Sequence, residues 1–144
     1  MNIIMDNDTL KANGLYIAAL ADYVDGSHAI LVDDNYCSMP RFVQRFIIAH
    51  ELGHMNNQHN ETIADRYAMK EVGKIRTMLA MSYIFNYFLS IDWTVSAQYL
   101  IRMDNLGYPV KGIRIKAPNG RVFSAEDLRP YMGDNYVVVN NNAR

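Results

Sequence analysis

The sequence predicts an α+β fold in one domain, residues 1–144, with a small antiparallel sheet at the N-terminus packed on a helical body. Three observations carry that reading. Short apolar runs in the first third are punctuated by the turn signals Asn13-Gly14 and Asp25-Gly26. From Phe42 to Leu106 the apolar residues instead recur at helical spacing. The chain has 144 residues, half of them apolar, enough to bury a core without a disulfide or metal staple.

The elements follow in order. Ile3 to Met5 reads as a short strand, Leu15 to Leu20 as a second and Ala29 to Val32 as a third, with the last two forming a hairpin about Asp25-Gly26. Ser38 is a plausible N-cap and Pro40 suits a first turn, so a helix runs from there to about Met55. Asn56-Asn57-Gln58 breaks the pattern, and Asn60 caps a helix from Glu61 to about Lys74. A further helix covers Ile75 to Ile91. Its Met78, Met81, Tyr83, Ile84, Phe85, Tyr87 and Phe88 are apolar on nearly every face, which fits core better than a ligand pocket. Thr94 or Ser96 opens the next helix and Gly107 stops it. Beyond lie a hairpin about Pro118-Asn119-Gly120, a short helix opened by Ser124, and a strand from Tyr136 to Val139.

The chemistry is concentrated in one turn of helix. His50-Glu51-Leu52-Gly53-His54 is H-E-x-x-H. Residues four apart share a helix face, so both imidazoles can aim a nitrogen at one ion about 2 Å away. Glu51, roughly 60° to 100° around the helix, can face the ion's open position as a general base without being a ligand. Phe42 and Phe46 precede His50 and His54 at the same spacing, a stripe that begins apolar and ends in imidazoles. Nitrogen and carboxylate donors point to Zn2+. The third ligand is Glu61, seven residues after His54, or its rival His59. Asp65, one turn beyond Glu61, is placed to accept a hydrogen bond from a ligand histidine. Tyr67, Tyr83, Tyr99 and Arg102 are candidate donors to a developing oxyanion.

The segment Arg45 to His54, followed by Glu61-Thr62-Ile63-Ala64-Asp65-Arg66-Tyr67-Ala68, resembles the ImmA/IrrE-like zinc metallopeptidases. The strand Ala29 to Val32 and the later Val95-Ser96 to Arg102 and Leu106-Gly107 fit the same resemblance, which spans about Gly14 to Gly107. It implies a zincin-like fold, zinc on His50, His54 and Glu61, Glu51 as catalytic base, and a protein substrate such as a helix-turn-helix repressor of a phage or mobile element. The His54–Glu61 connection is shorter than the family's common one, and residues 109–144 have no counterpart, marking a divergent C-terminal extension.

Other classes are less well supported. A net charge of -1 gives no broad footprint for nucleic acid. The segment Trp93 to Tyr108 is explained as a packing helix more simply than as a DNA-reading one. The N-terminus lacks the basic and apolar stretches of a signal peptide, and the uncharged run Thr77 to Ile91 is too short to span a bilayer. A single cysteine, Cys37, expected near a helix start, suits a reducing cytoplasmic setting. The rival to a peptidase is a non-cleaving zinc-binding module that sequesters a regulator.

Overall fold

The computed structural model describes residues 1–55, 60–133 and 136. Its fold is α+β, with two small sheets and seven α-helices among those residues. Strands β1 (Asn2–Met5), β2 (Ala18–Asp22) and β3 (His28–Val32) form one sheet in the order β1-β3-β2. The central strand is the continuous apolar run Ala29-Ile30-Leu31-Val32, every residue of it buried. Such a run belongs in the middle of a sheet covered on both faces.

The sheet is mixed rather than antiparallel, which corrects the sequence expectation. β2 pairs antiparallel with β3, whereas β1 pairs parallel to it, with Asn2 opposite Ala29 and Met5 opposite Val32. The cause is helix α1 (Asn7–Ala12), capped by the Asp6 carboxylate on the Thr9 amide, which the short Asp6–Asn13 stretch conceals. It turns the chain back, so β1 and β2 lie on opposite sides of β3.

The expected hairpin is present, with Gly26 at φ 85° and the Tyr23 amide bonded to the Ser27 carbonyl at 2.9 Å. Its first strand starts at Ala18, not Leu15, because Ile17 adopts φ 75°. That conformation is rare for a β-branched residue. The Asp33 carboxylate accepts the Ile17 amide at 2.7 Å and holds it there.

Asp33 also caps helix α2 (Asp34–Ser38). Ser38 therefore ends a helix instead of capping one, its hydroxyl donating to the Asp34 carbonyl, and Cys37 sits exposed on α2. Helix α3 (Arg41–Gly53) starts after Pro40 and carries the H-E-x-x-H residues on its last turn. Asn60 caps α4 (Glu61–Val72) through the Ile63 amide, as its side chain predicts. Gly73, at φ 101°, turns the chain into α5 (Lys74–Phe88). Helix α6 (Trp93–Asn105) is capped by Asp92, one turn earlier than Ser96, because the Asp92 carboxylate takes the Thr94 amide and hydroxyl.

After α6, β4 (Ile115–Lys116) and β5 (Val122–Phe123) pair antiparallel, and Ser124 and Asp127 make a capping box for α7 (Ala125–Leu128). A 3₁₀ turn, Arg129–Tyr131, follows. The expected final strand falls outside the described residues apart from Tyr136. One core joins α3, α5 and α6, with Phe46, Met81, Ile84, Phe88, Leu100 and Ile101 fully buried. Val110, Ile115, Ala125 and Leu128 belong to that core too, so residues from the proposed extension pack with the helical body. No described helix is long and apolar enough to cross a membrane.

Candidate metal centre

The α3 stripe passes from the surface into a cleft. Phe42 is 40% exposed, Phe46 is fully buried, and His50 and His54 are buried. Helix α4 meets α3 at Gly53. A β-carbon there would stand 2.9 Å from both the Ala64 Cα and its carbonyl oxygen and 3.0 Å from Tyr67 Cβ. A side chain at this position would hold the helices apart, so its absence lets the first turn of α4 lie against the last turn of α3.

That approach brings Glu61 to the histidines. Its Oε2 lies 2.9 Å from His50 Nε2, its Oε1 lies 3.2 Å from His54 Nε2, and the two Nε2 atoms are 3.1 Å apart. These three residues form the metal-capable cluster among the described residues. Ligands about 2.0–2.1 Å from a tetrahedral ion stand about 3.3 Å from one another, close to the spacing found here. Two imidazole nitrogens this close cannot both present lone pairs to each other unless a proton or a cation lies among them. The donor set can hold a divalent metal ion. His59 lies outside the described residues.

Asp65 is where the helical spacing from Glu61 puts it, fully buried. Its Oδ1 lies 2.7 Å from His50 Nδ1, which directs the ring's other nitrogen, Nε2, toward Glu61. The sequence does not show what holds Asp65. Arg102 on α6 does: its Nε donates to Oδ2 at 2.8 Å and its Nη2 to Oδ1 at 2.7 Å. The guanidinium lies over the Tyr99 ring at 4.1 Å and is itself buried. A forked, charge-assisted pair of this kind fixes a carboxylate in orientation as well as in position.

The charges are strongly perturbed. Burial and Arg102 push the His50 pKa down, but the Asp65 and Glu61 charges and the Asp65 hydrogen bond outweigh them, raising it to about 10. Burial opposes ionisation of Glu61 and Asp65, yet the neighbouring cations, His50 and Arg102, hold both carboxyls below their ordinary range. Glu51 differs. Burial dominates and raises its pKa, and its Oε2 stands 4.0 Å from His50 Nε2, beside the donor cluster without entering it.

The cluster forms part of the wall of a cleft of about 810 Å³. Strand β2 supplies another part, with Ala18, Leu20 and Asp22, and α6 a third, with Gln98 and Tyr99. No described strand pairs with the outer side of β2. The bonds at Ile17–Asp33 and Tyr23–Ser27 fix the alternation of the ladder. Leu20 therefore turns its amide and carbonyl away from β3.

Of the four oxyanion candidates, Tyr99 and Arg102 line this cleft. Tyr67 lies on a separate groove beside Arg45 and Glu71. Tyr83 packs on Phe42 and Tyr87 instead. Tyr136 lines the cleft and escaped the sequence reading, because nothing local distinguishes it from nine other tyrosines. Burial, with the Glu61 and Asp65 charges, pushes its hydroxyl up to about 12 against the pull of Arg102. Helix α6 is buried along most of its length, Thr94 being its exposed position, so it packs into the body instead of projecting a recognition face. No protein-family model, curated protein or solved structure matches this chain.

Proposed function

We propose that this protein is a zinc-dependent endopeptidase of zincin-like build, acting on a peptide bond in a protein substrate. The observation that carries the proposal is the convergence of His50, His54 and Glu61 donor atoms within 2.9–3.2 Å, with Glu51 beside them in an open cleft. His50, His54 and Glu61 would hold a divalent ion, which would supply Lewis acidity toward a carbonyl and a bound water.

The chain's own residues supply the rest. Glu51, made more basic by burial, takes the proton from the attacking water and returns it to the leaving amine. Asp65 and Arg102 keep the His50 ring in the orientation that leaves Nε2 facing the cluster. Tyr136 stays protonated at neutral pH, available to donate to the carbonyl oxygen. The outward amide and carbonyl of Leu20 offer an extended substrate strand a hydrogen-bonded seat alongside the cluster. That seat favours a peptide over other substrates.

The resemblance of Arg45 to His54 and Glu61 to Ala68 to the ImmA/IrrE-like enzymes makes a helix-turn-helix repressor in the cytoplasm the first substrate to try. Purified protein is incubated with candidate repressors, with and without chelator. Chelator-sensitive fragments are the expected result, whereas co-purification without fragments indicates a sequestering module. Glu51→Gln is expected to retain zinc and lose cleavage by at least a hundredfold, within the range general-base catalysis contributes. A Glu51→Gln protein that cuts at the wild-type rate ends the proposal.

A further inference from the structure

Three polar side chains near the metal cluster have no part in the chemistry above: the buried Thr62 and Asn105 and, at the edge, the half-exposed Arg129. Thr62 is fully buried and is the residue after Glu61. Asn105, on the turn of α6 after Arg102, is 9% exposed. Its amide nitrogen donates to Thr62 Oγ1 at 3.1 Å and to the Tyr136 carbonyl at 2.8 Å. Its amide oxygen accepts from Arg129 Nη2 at 2.8 Å, and the same Nη2 pairs with the Asp104 carboxylate. One side chain thus touches the start of the ligand-bearing helix α4, the turn after α7, and a residue of the cleft wall.

Burying an amide is costly unless its hydrogen bonds are made, and here each one made ties down a different segment. An apolar residue of similar volume would fill the same space and leave the Thr62 hydroxyl, the Tyr136 carbonyl and Arg129 without this partner. We infer that Asn105 is a positioning residue, which couples the placement of Glu61 in the metal cluster to the docking of the C-terminal segment bearing Arg129 and Tyr136. The coupling rests on the metal reading of the cluster and goes beyond it. It gives residues from the divergent part of the chain a role in holding the ion, and by linkage it gives the ion a role in holding them.

Cobalt(II) alone is the probe. Its visible spectrum reports ligand geometry, and its affinity is measured by competition against a chelator for wild type, Asn105→Leu and the more exposed change Arg129→Gln. The expected result is a loss of cobalt affinity of about tenfold or more for Asn105→Leu, as for other partners that orient metal ligands, with an altered spectrum and retained helical content. Arg129→Gln is expected to show a smaller loss in the same direction. Hydrogen exchange at residues 129–133 is expected to slow when cobalt binds wild type, and to be insensitive to cobalt in Asn105→Leu. Wild-type affinity, spectrum and cobalt-dependent protection in both variants overturn this inference and leave the metal site standing. Wild-type protein that takes up no cobalt overturns the metal reading and the coupling together.

Discussion

If His50, His54 and Glu61 hold a metal, its uptake should depend steeply on pH, because the surroundings of His50 favour its protonated form. Burial and Arg102 lower the His50 pKa, while Asp65 and Glu61 more than offset them and bring it to about 10. In the unfolded chain the imidazole has its ordinary value of 6.5. Because the folded value is raised, this proton's contribution to stability is fully present below about pH 6.5 and is lost as the pH climbs toward 10. A metal needs the neutral ring, so it must displace the proton. At pH 7 that displacement costs about 4 kcal/mol, three pH units at about 1.36 kcal/mol each. Each unit by which the pH rises should therefore strengthen apparent metal affinity about tenfold, with no plateau before pH 9. A histidine at its ordinary value would level off just above pH 7 instead. Chelator competition between pH 7 and 8.5 measures the slope. Calorimetry in buffers of different ionisation heat counts the proton released, and cadmium run beside zinc separates it from a proton lost by water. A flat affinity above pH 7.5, with no proton release, refutes the reasoning.

Two further perturbations test how the cluster is supported. Asp65→Asn leaves the buried Arg102 without its carboxylate partner and is expected to cost about 3–5 kcal/mol of stability in urea unfolding. It is also expected to weaken metal binding about 10–100-fold; a stability loss below about 1 kcal/mol contradicts the pairing described. Gly53→Ala gains about 1 kcal/mol in helix propensity, but its β-carbon meets the Ala64 backbone at 2.9 Å, where no rotamer change relieves the contact. The expected net effect is a lower melting temperature and a metal affinity weakened about tenfold, and a variant more stable than wild type shows that α3 and α4 need no such approach.

What the sequence discloses here, and what it hides, divides along the range of the interactions. The geometry of His50, Glu51 and His54 is set within one helical turn, so spacing alone places them. Glu61 and Asp65 are legible for the same reason, once Asn60 is read as the cap that starts their helix. The mixed sheet was not legible, because α1 has only six residues and a helix that short leaves little periodicity. Nor was the start of β2, which a buried carboxylate sixteen positions away determines at Ile17. The Arg102 grip on Asp65 and the Asn105 links to Thr62 and Tyr136 span sequence separations of 31 to 43 residues, through hydrogen bonds that no local pattern encodes.

The supporting groups also explain why the cluster can wait for an ion without collapsing. Two carboxylates, Glu61 and Asp65, lie beside Arg102 and a protonated His50 in the metal-free state, so opposing charges are close to balance inside the body of the protein. Exchanging the proton for a divalent ion adds one positive charge to that group. Glu51 can accommodate it, since burial raises its pKa and a new cation beside it favours ionisation. The group proposed as base would therefore ionise more readily with an ion beside it. Burial and the neighbouring Glu61 charge both act against its ionisation. If the proposed reading holds, the burial that raises the Glu51 pKa would link its readiness as a base to metal occupancy.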